Sequence, residues 1–141
     1  MKIGFNIIKR TPLKKRIALK KFLKQLAENE NQQFNELNYI FCSDEELLVI
    51  NKRFLNHDYY TDIITFNLSA SKYEPITGEI YISIDRILEN AKTYNTTTER
   101  ELHRIIFHGL LHLCGYNDKT PLQKSAMTKR ENYYLKKYLN D

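Results

Sequence analysis

A chain of 141 residues with 42% apolar and 28% charged residues has the size and balance of one globular domain. No apolar run reaches the about 18 residues that span a bilayer, ten Tyr and seven Phe argue against disorder, and two cysteines are too few for a disulfide scaffold. The N-terminal residues lack a secretory pattern, so the expected location is cytoplasmic, and a formal charge of +5 with a pI near 9.1 fits a polyanionic partner.

In chain order, Thr11-Pro12 predicts the first helix start. Leu13, Ile17, Leu19, Phe22, Leu23 and Leu26 follow at mostly helical spacing. Basic residues crowd the same stretch: Lys9, Arg10, Lys14, Lys15, Arg16, Lys20, Lys21 and Lys24. Two readings of that face stand side by side, a solvated surface and an RNA-facing patch. Residues 34–42 predict a strand. Ser43 and Glu46 form a capping box that opens a helix to about Phe54. Residues 61–68 and 78–84 predict two more strands, joined by a loop through Pro75, and residues 85–95 predict a helix. Thr98 with Glu101 predicts a second capping box and a helix through Leu113, ended by Gly115 at a left-handed position. Thr120-Pro121 with Gln123 opens a last helix to about Leu139. The expected architecture is α+β: a single domain over 1–141, with a small mixed sheet of about four strands and about five helices.

The informative segment is residues 99–118, ERELHRIIFHGLLHLCGYND. On a helix, Leu102, Ile105, Ile106, Leu110 and Leu113 form one apolar face, and Phe107 with Leu111 forms a second. Between them runs a polar stripe of Glu101, Arg104, His108 and His112, which must open onto a cleft or partners. His103 lies off the stripe and is expected to be structural or at the surface. His108 and His112 stand one turn apart on one face, the spacing that lets two imidazoles share a metal. Gly115 lets the chain turn back, so that Asp118 can supply a third ligand. Three protein ligands leave one position open, as a catalytic metal needs. Two imidazoles and a carboxylate suit Zn²⁺, the expected cofactor, and also Fe²⁺, Mn²⁺ or Ni²⁺. Cys114 adjoins this set but is expected to be buried behind it. Zincin peptidases place Glu directly after the first histidine; here that residue is Gly109.

The run HGLLHLCGYND resembles the signature of the YbeY endoribonucleases, the rRNA maturation factors. Residues 50–54 resemble that family's Leu-Asn block, residues 58–66 its Thr-Asp/Asn-Val-Leu-Ser-Phe strand, and Gly78-Glu79-Ile80 its Gly-Asp-Ile entry. The resemblance implies one α+β domain and a zinc ion held by the motif. It also implies metal-dependent endonucleolytic cleavage of single-stranded RNA, in rRNA end maturation and ribosome quality control. Its implied partners are ribosomal RNA and small-subunit ribosomal proteins. Carried onto this chain, His108 and His112 match two ligands. Asp118 stands where the family has a third histidine, and Asn117 where it has Asp. Leu55 stands where the family has Arg, which leaves Arg53 and His57 as nearby cations for RNA, alongside Lys14, Lys15, Lys20 and Lys21. Tyr59, Tyr60, Tyr73 and Tyr116 are candidates for base stacking, and Glu79, Glu101 and Asp62 for a general base. The competing readings are a ribosome-associated RNA-binding factor with a structural metal, a metallopeptidase and an iron oxygenase.

Overall fold

The computed structural model describes residues 1–140. The chain runs β1 (Lys2–Ile7), α1 (Arg16–Asn29), β2 (Phe34–Cys42), α2 (Asp44–Leu55), β3 (Ile63–Asn67), β4 (Ile76–Ser83), α3 (Ile84–Thr93), α4 (Thr98–Leu113) and α5 (Pro121–Leu139). The four strands form one sheet in the order β1-β2-β4-β3, with β3 antiparallel and the other pairs parallel. The expected α+β class, with a mixed four-stranded sheet and five helices, is the observed one.

Alternation along the strands gives the sheet two different faces. Leu37, Tyr39 and Phe41 of β2, with Ile80 and Ile82 of β4, are fully buried in the main core with α1, α4 and α5. The opposite face carries Cys42, Ile64, Phe66 and Tyr81, which pack beneath Leu47 and Ile50 of α2. One sheet therefore separates α2 from α4, except along the free edge of β3.

Local signals place most helices. Ser43 caps α2 with the expected capping box, and Thr120 caps α5 in the same way with Gln123. The cap of α4 is Thr97, one residue before the expected one, and its side chain accepts from the Arg100 amide at 3.0 Å. Glu101 is thereby released from capping and is buried, 7% exposed, among other charged groups.

Two further expectations are corrected. The first helix starts at Arg16, not at Thr11-Pro12. The amides of Ile8 and Lys9 donate to the Phe41 carbonyl at 2.9 and 3.1 Å, which ties this segment to the end of β2. Leu13 is buried there, Lys15 lies in the left-handed region at φ 52°, and Ile17 is 88% exposed, off the buried stripe of Leu19, Leu23, Leu26 and Ala27. Strand β1 is absent from the expected elements, although Ile3, Phe5 and Ile7 alternate as a strand requires.

α4 is sandwiched as its two apolar faces predict. Leu102, Ile106, Phe107, Leu110 and Leu111 are fully buried, and the Tyr39 hydroxyl donates to the Ile106 carbonyl at 2.8 Å. Gly109 is where the helix meets the sheet: a Cβ there would lie 2.9 Å from Ile80 Cγ2 and 3.0 Å from Ile63 Cδ1. His103 is structural. It is 3% exposed, packs against Phe107 and Tyr138, and bonds the Glu99 carbonyl through Nδ1 at 2.7 Å. Burial holds its pKa below the ordinary histidine value. A histidine with a depressed folded pKa takes up its proton more readily when unfolded. Its contribution is complete above the unfolded pKa near 6.5 and is lost as pH falls toward the folded value. His103→Phe is therefore expected to shrink the fall in melting temperature between pH 7 and pH 5; an unchanged fall would place the acid sensitivity elsewhere.

Candidate metal centre

The end of α4 fixes the site. Gly115 at φ 111° reverses the chain, with its amide bonded to the His112 carbonyl and the Tyr116 amide to the Leu111 carbonyl, each at 3.1 Å. This paired bonding is a Schellman motif. It brings the Tyr116 carbonyl back to His112, whose Nδ1 donates to it at 2.9 Å. The side chain of Tyr116 is anchored too. Its hydroxyl donates to Glu30 at 2.8 Å, and Glu30 also accepts from Tyr134 and from Arg130 at 2.9 and 3.1 Å. Burial alone would raise the Glu30 pKa; the two hydroxyls and the guanidinium outweigh it and hold the carboxyl below its ordinary value. Gly115→Ala forces a side chain into a conformation costing about 1–3 kcal/mol. A melting curve is expected to show that loss, and an unshifted curve would mean that the turn relaxes freely.

His108 is oriented from the other side. Its Nδ1 meets Glu131 Oε2 at 2.6 Å, and the other Glu131 oxygen accepts from Arg104 at 2.8 Å. Glu131 lies on α5, 8% exposed, and nothing local in the sequence pointed to it. Its signal was a buried charge on the inward face of the last helix. Both histidines thus hold Nδ1 against a protein acceptor, an arrangement that fixes the tautomer and presents Nε2.

His108, His112 and Asp118 border one cleft of about 460 Å³ with Leu55, His57 and Tyr59. His108 Nε2 lies 3.4 Å from Asp118 Oδ2. Two ligands at zinc bond lengths in a tetrahedron stand about 3.4 Å apart, so this pair already has the spacing of neighbours on one ion. Among the described residues, no three His, Cys, Asp or Glu side chains are gathered tightly enough to constitute a formed metal cage. His112 joins the pair from one turn along the helix, about 6 Å away in rise.

The electrostatics favour a cation. Asp62, Glu101, Arg104 and Glu131 line an adjoining hollow that His108 and Asp118 also border. Burial raises the pKa of Asp62, and the Asp118 charge adds to it against His108. Burial likewise raises that of Glu101, against Arg104. At His108 burial acts downward, yet the bond to Glu131 and the charges of Glu131, Asp118 and Asp62 outweigh it and raise the pKa. A surplus of carboxylates around imidazole suits a bound divalent ion. The donor chemistry, the pinned ring nitrogens and the 3.4 Å spacing fit zinc held by His108, His112 and Asp118.

The other expected residues divide. His57 borders the cleft; Arg53 does not. Lys20 sits over Phe5 of β1 and borders a groove with Met1 to Gly4 at that end of the sheet. The cleft is at β3, three strand spacings or about 14 Å across. Lys14, Lys15 and Lys21 do not border the cleft either, so the basic helix is not part of it. The cation that does border it is Lys119, which sequence reasoning passed over. Leu55, at the position where the resemblance leads one to expect Arg, lines it. Glu79 faces away and accepts from Tyr81 at 3.1 Å on the α2 side of the sheet, which removes it as a base. Cys114 is half-buried with its thiol pushed up to about 12 by burial, and Cys42 is buried with its thiol also at about 12. Both are inert thiols.

Comparison with known proteins identifies the family. Residues 7–139 match the family described as Endoribonuclease YbeY. A protein of that name from Cytophaga hutchinsonii is 51% identical over 87% of this chain and 85% of its own. One from Parabacteroides distasonis is 45% identical over 88% and 86%. A solution structure of a Thermotoga maritima protein superposes with a TM-score of 0.62 at 28% identity, covering 96% of this chain and 89% of that one. The chain belongs to the YbeY endoribonuclease family.

Proposed function

We propose that the protein is a metal-dependent endoribonuclease that cuts single-stranded RNA in the maturation of ribosomal RNA ends and in ribosome quality control. The observation that supports this best is the pair of pinned imidazoles, His108 on Glu131 and His112 on Tyr116, facing one open cleft with Asp118. In this reading His108, His112 and Asp118 hold one zinc ion, which supplies Lewis acidity toward the scissile phosphodiester. Lys119 offers its charge to a phosphate oxygen. Half-buried Asp62 and buried Glu101, both with raised pKa values and both lining the hollow that His108 borders, are the carboxylates placed to take up or return a proton. Small-subunit ribosomal proteins are the expected neighbours during action on the ribosome. The proposed place of action is the cytoplasm; no helix among the described residues is long and apolar enough to cross a membrane.

The peptidase reading fails on packing. A glutamate at position 109 would have its Cβ against Ile80 and Ile63, so the closely seated helix has no room for that base. The reading as an RNA-binding factor without chemistry draws on Leu55 in the cleft wall. One experiment separates it from the nuclease. Zinc-loaded protein is given an rRNA 3′-end fragment with a single-stranded tail, with chelator and His112→Ala controls. Cleavage abolished by both controls is the expected result. RNA binding without cleavage would transfer the assignment to the non-catalytic factor. A 2′,3′-cyclic phosphate on the product would assign the attack to the neighbouring 2′-OH.

A further inference from the structure

Of the four tyrosines named as base stackers, only Tyr59 borders the cleft. Tyr116 is tied through its hydroxyl to Glu30, Tyr60 is covered by Arg86 at 5.4 Å, and Tyr73 lies against Lys72 beside a separate hollow. Tyr59 is stacked on His57 with ring centroids 5.0 Å apart and planes 20° apart, and its hydroxyl meets His57 Nδ1 at 2.9 Å. The tyrosine is 56% exposed, so most of this two-ring unit remains open to solvent. An open stack of this kind on a loop needs a reason to stay in place.

The reason is Asn51. This residue of α2 is 1% exposed and grips the loop twice: its side-chain Nδ2 donates to the Tyr59 carbonyl at 2.9 Å, and its main-chain carbonyl, at the end of the helix, accepts from the His57 amide at 3.1 Å. Asn51 therefore fixes the backbone of both ring-bearing residues on the wall of the cleft that His108, His112 and Asp118 border. Leu55 and Ile63 add apolar surface, Thr61 and Thr65 add hydroxyls, and Lys119 adds a cation. A flat aromatic unit, preorganised beside a candidate phosphodiester site, is the chemistry that seats an unpaired nucleobase.

We propose that the His57–Tyr59 stack is a nucleobase platform that sets one unpaired base of the substrate beside the scissile bond. This rests on the reading of the protein as a single-strand endoribonuclease and assigns a subsite within it. Stacking is made equally in the ground and transition states, so its loss raises KM and leaves kcat in place.

The test uses the full chain and a single-stranded oligoribonucleotide carrying 2-aminopurine, whose fluorescence falls on stacking. Chelator prevents cleavage during the titration. Tyr59→Phe keeps the ring and is expected to quench as the parent does. Tyr59→Leu is expected to lose the quenching and to bind about 5- to 150-fold more weakly, with KM raised by a similar factor in the zinc-loaded cleavage assay. His57→Leu is a second variant should Tyr59→Leu misfold, which a melting curve would reveal. Parental quenching and KM in both leucine variants would overturn the platform while leaving the nuclease intact. Equal damage from Tyr59→Phe and Tyr59→Leu would overturn it in favour of a hydroxyl contact. A parent that neither binds nor cleaves RNA would remove the underlying reading itself.

Discussion

Replacing Glu131 by Ala is expected to weaken zinc binding about 10- to 100-fold, with a matching loss of RNA cleavage at limiting zinc. The carboxylate does not border the cleft of His108, His112 and Asp118; it acts through His108, to which it is bonded at 2.6 Å. Without it the imidazole loses its orientation and the charge that makes Nε2 a better donor. Arg104 loses its 2.8 Å partner at the same time, so the helix pair α4–α5 is loosened as well. Glu131→Gln separates the two effects, because it keeps the shape and an acceptor oxygen while removing the charge. Competition against a chromophoric chelator reads the zinc affinity directly, and the melting temperature of the metal-free protein reads the packing. Parental zinc affinity in both variants would show that His108 needs no support from α5.

The largest effect on stability is expected from Phe107→Ala. The ring is fully buried and contacts Phe22 of α1 at 5.3 Å and Tyr138 of α5 at 5.8 Å between centroids. Removing it leaves a cavity where three helices meet, and deletions of this kind cost about 3–5 kcal/mol. Chemical denaturation is expected to show the midpoint falling with little change in slope. A loss below about 1 kcal/mol would mean that Phe22 and Tyr138 collapse into the space. Phe107 precedes His108 by one position, about 100° round α4, so the variant also reports how firmly the site helix must be held for cleavage.

The site was legible to different depths. His108, His112, Gly115 and Asp118 lie within one helix and the turn that follows it, and their spacing, together with the family signature, marked them as the candidates that the structure brings to one cleft and its supporting turn. The caps at Ser43 and Thr120 were equally local. Glu131, Asn51 and Lys119 were not read as site components. Glu131 meets His108 across 23 residues, and Asn51 acts on a loop eight residues on through a hydrogen bond that no periodicity encodes. The place of the basic helix was hidden for a different reason. Its charge is evident in the sequence, but its distance from the cleft depends on the strand order β1-β2-β4-β3, which hydrophobic patterning does not specify. The start at Thr11-Pro12 obeyed a sound capping rule, and tertiary bonds from Ile8 and Lys9 to Phe41 overrode it.

The dependence of His108 on α5 also bears on timing. His108 is made 23 residues before Glu131, so a growing chain possesses this ligand before it possesses its support. The orienting bond forms only when α5 has been synthesised and has folded back onto α4. Until then the proposed site would hold its metal about 10- to 100-fold more weakly, during the stage when the chain is still attached to a particle built of RNA.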